Sequence, residues 1–230
     1  MSLRLNIDAA RASWHARFEN RKELPAAGSG GKLDVRGAAT QTEIMLYDEI
    51  GFWGVTAKQF NAALSGIESE SILLRINSPG GDVFDGFAIY NALKAHPAQV
   101  DVVIEGLAAS AASFVAMAGD TVTMSDPSLL MIHRAWTMAL GNTKDMADTA
   151  TLLSTIDQQI AGIYAERASG DAAAFLDLMT SETWLTPEEA QALGLVDIVS
   201  ETMPDQAAAA IENAHAARMR AARVIQLGVS

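Results

Sequence analysis

Two short stretches of sequence decide the fold, Asn77-Ser78-Pro79-Gly80-Gly81-Asp82 and Gly106-Leu107-Ala108-Ala109-Ser110-Ala111-Ala112-Ser113. Each stretch follows an apolar, strand-like run and precedes a helix-like one. A turn of this kind presents unpaired backbone N–H groups at the start of a helix, where they stabilise negative charge. Glycine also lets a second backbone approach closely, because it has no Cβ. The two turns together predict an oxyanion-binding loop beside a serine, which is the layout of a serine hydrolase.

Strand-like and helix-like segments alternate along the middle of the chain. Apolar runs predict strands at residues 44–47, 71–76, 100–104, 121–124, 129–132 and 195–199. Helical periodicity and capping residues predict helices at residues 56–64, 84–95, 110–118 and 143–168, with two shorter helices that end at Met179 and Gly194. Repeated strand–helix units favour parallel pairing with helical crossovers, so the predicted fold class is α/β.

The same pattern divides the chain into three parts. Residues 1–40 are polar, with a weakly amphipathic stretch at 9–22 and a glycine-rich hinge at 26–31, and are predicted to form an N-terminal arm. Residues 41–200 form the predicted hydrolase domain. Residues 201–230 are rich in alanine and arginine and are predicted to form a helical tail.

Composition and charge exclude several classes of protein. The 230 residues include no cysteine, which excludes a thiol nucleophile, a thiolate metal site and a disulfide framework. The net charge is −12, whereas nucleic-acid binding needs a basic surface. The first eight residues lack the apolar core of a signal peptide, and no apolar run suits a membrane span. We therefore expect a soluble, cytoplasmic protein that binds neither nucleic acid nor membrane.

Ser110 and His133 are the candidate nucleophile and base. A serine hydroxyl is a poor nucleophile near neutral pH and needs an adjacent base to take its proton. Among the four histidines, only His133 ends an apolar strand within the regular region; the others are His15, His96 and His215. The alternatives stay open at this point, because a small-residue turn also serves close packing and a strand histidine also serves as a hydrogen-bonded core residue.

A third catalytic member would be a carboxylate that holds the imidazole in one tautomer. Spacing alone leaves four choices, which are Glu182, Asp177, Asp126 and Asp197. The Gly80-Gly81 pair is by itself also consistent with a plain turn. The order of the features is more informative than any one of them: a glycine turn, a serine turn, a strand-end histidine and then a carboxylate.

These motifs resemble those of the Clp protease proteolytic subunit (ClpP) family of self-compartmentalising serine peptidases. Residues 76–81 resemble the oxyanion strand of that family, 106–110 its nucleophile turn, 131–133 its histidine strand, and 185–197 its closing helix and strand. The resemblance implies a ClpP/crotonase-like spiral of ββα units. It also implies that the long helix at 143–168 is a handle that joins rings face to face.

The resemblance assigns roles position by position. Ser110 is the implied nucleophile and His133 the implied base, while the backbone amides of Gly81 and Ala111 form the implied oxyanion hole. Glu182 falls where the family usually has its triad aspartate, so the side chain here is longer by one methylene. Neither a cofactor nor a metal is expected, and the implied substrate is a polypeptide bound as an added β-strand.

Three segments resemble a particular branch of the family, the phage and prophage head maturation proteases. They are residues 49–58, 80–86 and 182–186. This branch implies an ATP-independent serine endopeptidase that processes capsid or scaffold proteins in the host cytoplasm or the procapsid. The family resemblance implies a ring homo-oligomer, with stacked heptamers as one arrangement. Our own hypothesis is that residues 1–40 and 201–230 tether the protein to capsid or scaffold proteins.

Three other functions stay open on the sequence alone. The first is a ClpP-type peptidase that works with an ATP-driven unfoldase. The second is a crotonase-like acyl-CoA enzyme, which would use the Gly81 and Ala111 amides on a thioester enolate and leave Ser110 and His133 without a role. The third is a capsid-assembly protein with a degenerate site, which only the glutamate at position 182 favours.

Overall fold

A computed structural model of the chain describes residues 31, 33–37 and 40–201. The predicted helices at 9–22 and 205–224 and nearly all of the predicted hinge lie outside these residues. The strands are β1 (Asp34–Gly37), β2 (Gln41–Leu46), β3 (Ser71–Ser78), β4 (Gln99–Ala109), β5 (Thr121–Ser125), β6 (Leu129–Ile132), β7 (Thr183–Leu185) and β8 (Ile198–Ser200). The helices are α1 (Ala57–Leu64), α2 (Val83–Ala95), α3 (Ala111–Ala116), α4 (Thr143–Ala168), α5 (Ala172–Thr180) and α6 (Pro187–Ala192).

The strands form one mixed eight-stranded sheet. Its main path runs in the order β1-β2-β3-β4-β5-β8, and every pair along it is parallel except β1 with β2. β4 divides its pairing, because its first half pairs with β5 and its last residues, Leu107 to Ala109, pair with β6. β7 then pairs antiparallel with β6. This arrangement agrees with the predicted α/β class and with a ClpP-like fold.

Continuous apolar runs explain why the central strands lie inside the molecule. Parallel strands are covered by helices on their faces, so they lack the alternation of a half-exposed strand. In β3, Ile72, Leu74 and Ile76 are fully buried, and in β4 Val102 and Ile104 are fully buried. One large core cluster joins these side chains to the inner faces of the helices.

The long helix α4 coincides with the helix predicted at 143–168. Asn142 caps its first turn by accepting hydrogen bonds from Lys144 and Asp145, and the Asp145 side chain completes the capping box. Its buried face includes Ile156, Ile160 and Tyr164. Within the described residues, no helix has the length and apolar character needed to span a bilayer.

Several predicted boundaries differ from the structure. The last strand, predicted at 195–199, begins only at Ile198, because Asp197 folds its carboxylate back to accept a hydrogen bond from the Val122 N–H. β7 was not predicted, since three residues carry too little periodicity. Residues Asp34–Gly37 of the predicted arm form β1 and pair with β2 at the edge of the sheet.

Candidate active site

Ser110 lies in the turn between β4 and α3, with a strained backbone. Its φ of 53° and ψ of −124° lie outside the regions that residues with a side chain normally occupy. Such a conformation costs about 1–3 kcal/mol and persists only where neighbouring groups enforce it. Here the Ser110 N–H donates to the Met131 carbonyl at 3.0 Å, and the Ser113 N–H donates to the Ser110 carbonyl at 3.0 Å. The turn therefore presents the serine hydroxyl at the end of β4.

Gly80 is the residue that lets the second predicted turn lie against Ser110. A Cβ at position 80 would be 2.4 Å from the Ala109 carbonyl oxygen, 2.7 Å from the Ala111 nitrogen and 2.8 Å from the Ser110 Cβ. The Gly80 φ of 84° also favours glycine. The two stretches that decide the fold are thus in direct backbone contact.

Gly81 forms a short parallel bridge with Ile50, and this bridge orients its amide. Ile50 donates to the Gly80 carbonyl and accepts from the Asp82 N–H, both at 2.8 Å. In a parallel ladder, when the residues before and after a given residue bond to one strand, that residue directs its own N–H and C=O away from that strand. The Gly81 amide therefore points away from Ile50. Together with the Ala111 amide beside Gly80, it is a candidate donor to an oxyanion.

His133 follows β6 directly, and the structure brings it together with Ser110. Its Nε2 lies 2.8 Å from the Ser110 Oγ, and both residues are partly buried. β6 pairs with the last residues of β4, so the backbone places the end of one strand beside the end of the other. With Nε2 unprotonated, this geometry lets the imidazole accept the serine proton.

Glu182 lies between α5 and β7. The antiparallel register of β6 with β7 ends at the pair Ile132 and Thr183; His133 directly follows the first of these residues, and Glu182 directly precedes the second. Glu182 also has a left-handed backbone, with φ of 47°. Its Oε1 accepts a hydrogen bond from the Trp184 indole N–H at 3.2 Å.

The three other carboxylates considered from the sequence lie elsewhere. Asp197 accepts from the Val122 N–H at 2.8 Å and forms an ion pair with Arg167. Asp126 follows β5 on the side of the sheet that carries β8, and its N–H donates to the Ser200 carbonyl. Asp177 lies within α5. Of the four carboxylates, Glu182 is the one that directly precedes β7, the partner of the strand that ends before His133.

A cavity of about 560 Å³ opens beside Ser110 and His133. Its wall is largely apolar and aromatic, and α4 supplies one side of it. The polar groups at its rim include Glu49 and Asp82, and no lysine or arginine lines it. The apolar side chains are Trp53, Val83, Phe84, Phe114, Ala135, Trp136, Met138, Leu152, Leu153, Ile156 and Ile160. A cavity of this size and lining suits a large apolar side chain of a substrate.

Sequence reasoning missed two hydroxyl groups behind the nucleophile. The Ser113 hydroxyl bonds to the Ser110 carbonyl and lies 2.7 Å from the Tyr164 hydroxyl. Ser113 was considered only as one of several small residues, and Tyr164 follows it by 51 positions. The helical rhythm of 143–168 was the one available signal, since it includes position 164 on the apolar face.

The next feature considered is a possible metal site. The described part of the chain holds no group of three or more histidine, aspartate or glutamate side chains that could bind a metal ion.

Comparison with known proteins identifies a matching family and several relatives. The family model described as Clp protease matches residues 29–203. The ATP-dependent Clp protease proteolytic subunit of Pleurastrum terricola is 32% identical over 135 residues, which cover 58% of this chain and 69% of that protein. Proteolytic subunit 1 of Prochlorococcus marinus strain MIT 9312 is 30% identical over 155 residues, or 65% and 80% of the two chains. The subunit of Deinococcus radiodurans is 33% identical over 132 residues, or 56% and 65%.

Proposed function

Because the chain belongs to the Clp protease family, we propose that it is a serine endopeptidase with a Ser110–His133–Glu182 triad. The observation that carries this proposal is the 2.8 Å contact between the Ser110 Oγ and the His133 Nε2. A nucleophile and a base within hydrogen-bond reach are the first geometric requirement of this chemistry. The inclusion of Glu182 is supported by its position directly before β7, which pairs with the strand that ends before His133.

The proposed reaction proceeds through an acyl-enzyme. His133 takes the Ser110 proton as the Oγ attacks the scissile carbonyl carbon, and the tetrahedral oxyanion accepts hydrogen bonds from the Gly81 and Ala111 amides. The imidazolium then protonates the leaving amine as the C–N bond breaks. Water attacks the remaining ester with His133 again as base, which frees the acid and restores the serine. Glu182 holds the imidazole in the tautomer that this cycle needs.

The cavity indicates the kind of substrate. Its apolar wall accepts a large apolar side chain next to the scissile bond, and the edge formed by Gly81 offers backbone groups to an extended peptide. The acidic rim at Glu49 and Asp82 favours a substrate without negative charge near that side chain. We therefore propose a polypeptide substrate that is cut beside a large apolar residue.

The finer proposal is an ATP-independent protease of the phage head maturation branch that acts as a ring homo-oligomer on capsid or scaffold proteins. Its support is the resemblance of residues 49–58, 80–86 and 182–186 to that branch. The named relatives support a second candidate, because they are proteolytic subunits of ATP-dependent Clp proteases. In that case the chain would cut polypeptides delivered by an ATP-driven unfoldase.

Fluorophosphonate labelling of the assembled protein, read by peptide mass spectrometry, tests the catalytic proposal. We expect the adduct on Ser110 in the wild-type protein and no adduct in Ser110→Ala. In His133→Ala we expect the adduct to form at least about 100-fold more slowly. Ser65→Ala, which changes an exposed helix cap, is the control and keeps the wild-type labelling rate. An oligomer that takes no label on Ser110 would contradict the proposal.

Proteolysis without nucleotide separates the two finer functions. The purified protein is incubated with a co-expressed capsid or scaffold protein, with and without ATP and a Clp unfoldase. Cleavage without ATP, lost when residues 1–30 or 202–230 are deleted, supports the capsid-processing function. Cleavage only with the unfoldase and ATP overturns it in favour of the second candidate.

A further inference from the structure

The buried hydroxyls of Ser113 and Tyr164 make an unbroken hydrogen-bonded connection from α4 to the backbone of the nucleophile. Ser113 is fully buried and Tyr164 is 1% exposed. The Ser113 hydroxyl bonds to the Ser110 carbonyl oxygen, and the Tyr164 hydroxyl lies 2.7 Å from the Ser113 Oγ. None of these hydrogen bonds involves the Ser110 hydroxyl or the His133 ring.

The Ser110 carbonyl at the end of this connection determines the direction of its hydrogen bonds. A carbonyl oxygen can only accept, so the Ser113 hydroxyl must give its proton to the Ser110 carbonyl. The Ser113 oxygen is then the acceptor for the Tyr164 hydroxyl. Burial raises the pKa of Tyr164, which keeps that hydroxyl protonated. Each bond polarises the next, so the series holds the carbonyl more firmly than its members would singly.

The Ser110 carbonyl is a sensitive place to apply such a restraint. The Ser110 backbone is in an unfavourable conformation, and rotation about it would move the Oγ away from His133. The Ser113 N–H alone supplies one bond to this carbonyl, and the Ser113 hydroxyl adds a second. A displacement of about 1 Å at a reacting atom can cost about 100-fold in rate.

The same face of α4 also holds the chain that follows the histidine. Asp157, two turns before Tyr164, is buried and accepts a hydrogen bond from the Ala135 N–H at 2.8 Å. It also forms an ion pair with Arg134 at 3.2 Å. One helix therefore contacts both the nucleophile turn and the segment next to the base.

We propose that Ser113 and Tyr164 are positioning residues for Ser110, because their hydroxyls hold the backbone that carries the nucleophile. The inference rests on the proposed function, since it concerns the same serine. It adds that the Tyr164 hydroxyl, on the long helix, affects the rate at which Ser110 attacks without contacting the scissile bond.

The test measures the kinetics of fluorophosphonate labelling on the full-length, assembled chain. The limiting rate of labelling is expected to fall about 10-fold in Ser113→Ala and about 3-fold to 10-fold in Tyr164→Phe, with the probe's apparent dissociation constant changed less than about 2-fold. The double variant is expected to be no slower than Ser113→Ala, because both changes break one connection. Tyr90→Phe is the matched control, since it removes a half-buried tyrosine hydroxyl elsewhere in the core and leaves the rate unchanged.

The outcomes separate this inference from the proposed function. Wild-type protein without an adduct on Ser110 would overturn the proposed function and this inference with it. Wild-type labelling with unchanged limiting rates in Ser113→Ala and Tyr164→Phe would overturn the positioning role alone. A lower melting temperature with an unchanged limiting rate would likewise assign these hydroxyls to stability only.

Discussion

The turns at Ser110 and Glu182 each contain a non-glycine residue with a positive φ but are held in different ways. Both residues have a left-handed φ, 53° and 47°, although each carries a side chain. The Ser110 turn is held from three separate elements, namely β6 through Met131, the glycine turn after β3, and α4 through Tyr164. At the other turn, the Glu182 N–H donates to the nearby Met179 carbonyl at 3.2 Å, and the Glu182 carboxylate accepts from the Trp184 indole. A long-range framework thus enforces the nucleophile turn, while nearby residues contribute to the carboxylate turn.

Replacement of the carboxylate itself is expected to have the largest effect on activity. Glu182→Gln keeps the side-chain length but removes the charge that stabilises the imidazolium, so kcat is expected to fall about 1,000-fold or more. Because the surrounding turn is local, the melting temperature is expected to stay close to the wild-type value. Steady-state kinetics on an apolar fluorogenic peptide and thermal unfolding measure the two quantities. A catalytic rate within a few-fold of wild type would remove Glu182 from the triad.

A change at the glycine turn is expected to lower both activity and stability. Gly80→Ala places a Cβ 2.4 Å from the Ala109 carbonyl oxygen, and backbone atoms cannot move aside as a flexible side chain would. The expected results are a loss of about 100-fold in kcat/KM and a melting temperature lower by about 5 °C. Gly162→Ala in α4 is the control, because no atom lies within 4 Å of its added Cβ. Equal behaviour of the two variants would contradict the close contact of the turns.

The indole beside the carboxylate offers a smaller test of the second turn. Trp184→Phe removes the N–H that donates to the Glu182 Oε1 at 3.2 Å. The carboxylate then samples more orientations, so kcat is expected to fall about 3-fold to 10-fold with little change in KM. Kinetics in the Glu182→Gln background give the comparison, because there the same substitution is expected to have no further effect. Equal losses in both backgrounds would mean that Trp184 acts by packing alone.

The smallest expected effect on activity concerns a carboxyl group outside both turns. Burial, together with the neighbouring charge of Glu43, raises the pKa of Glu105 to about 7, although Arg75 contacts both carboxylates. The folded state therefore favours the neutral acid, and the stability that this group contributes is lost as pH rises from about 4.5 through 7. Histidine titrates in the same range, so a stability change there could be mistaken for one at His133.

Glu105→Gln separates the two titrations. The free energy of unfolding, measured by urea titration between pH 5 and pH 8, is expected to fall less steeply in this variant than in the wild type. The midpoint of the pH–rate profile is expected to stay where it is, because Glu105 lies on the sheet and not among the residues that line the cavity. A shifted midpoint would show that the charge of Glu105 changes the pH dependence of catalysis.

The two turns also differ in how far the sequence could predict them. The Ser110 turn carries local signals, since small residues and a glycine pair follow strongly apolar strands. The α/β class followed from the alternation of strand-like and helix-like segments, and the length of α4 followed from its helical periodicity. The Glu182 assignment came from a family resemblance, because spacing alone left four carboxylates. The pairing of Ile132 with Thr183, in a strand too short to predict, brings the start of β7, which follows Glu182, to the end of β6, which precedes His133.

What the sequence could not predict depends on contacts between distant segments. β4 continues five residues beyond its predicted end because β6 pairs with Leu107 to Ala109, although alanine has little preference for strands. The left-handed backbone of Ser110 likewise has no local cause, since it is imposed by neighbours from other elements. Tyr164 meets Ser113 across 51 residues, and helical periodicity shows only that its side chain is buried.

The four-residue strand β6 has a consequence for how the active site is lost. It is hydrogen-bonded to β4, which ends before Ser110, and to β7, which starts after Glu182, and its own chain continues into His133. Neighbouring strands lie about 4.8 Å apart, so main-chain pairing sets the spacing of the three residues. A fluctuation that separated them would have to break those pairs, which belong to the buried sheet. Catalytic competence and the slowest amide hydrogen exchange are therefore expected to disappear together, in one cooperative unfolding event.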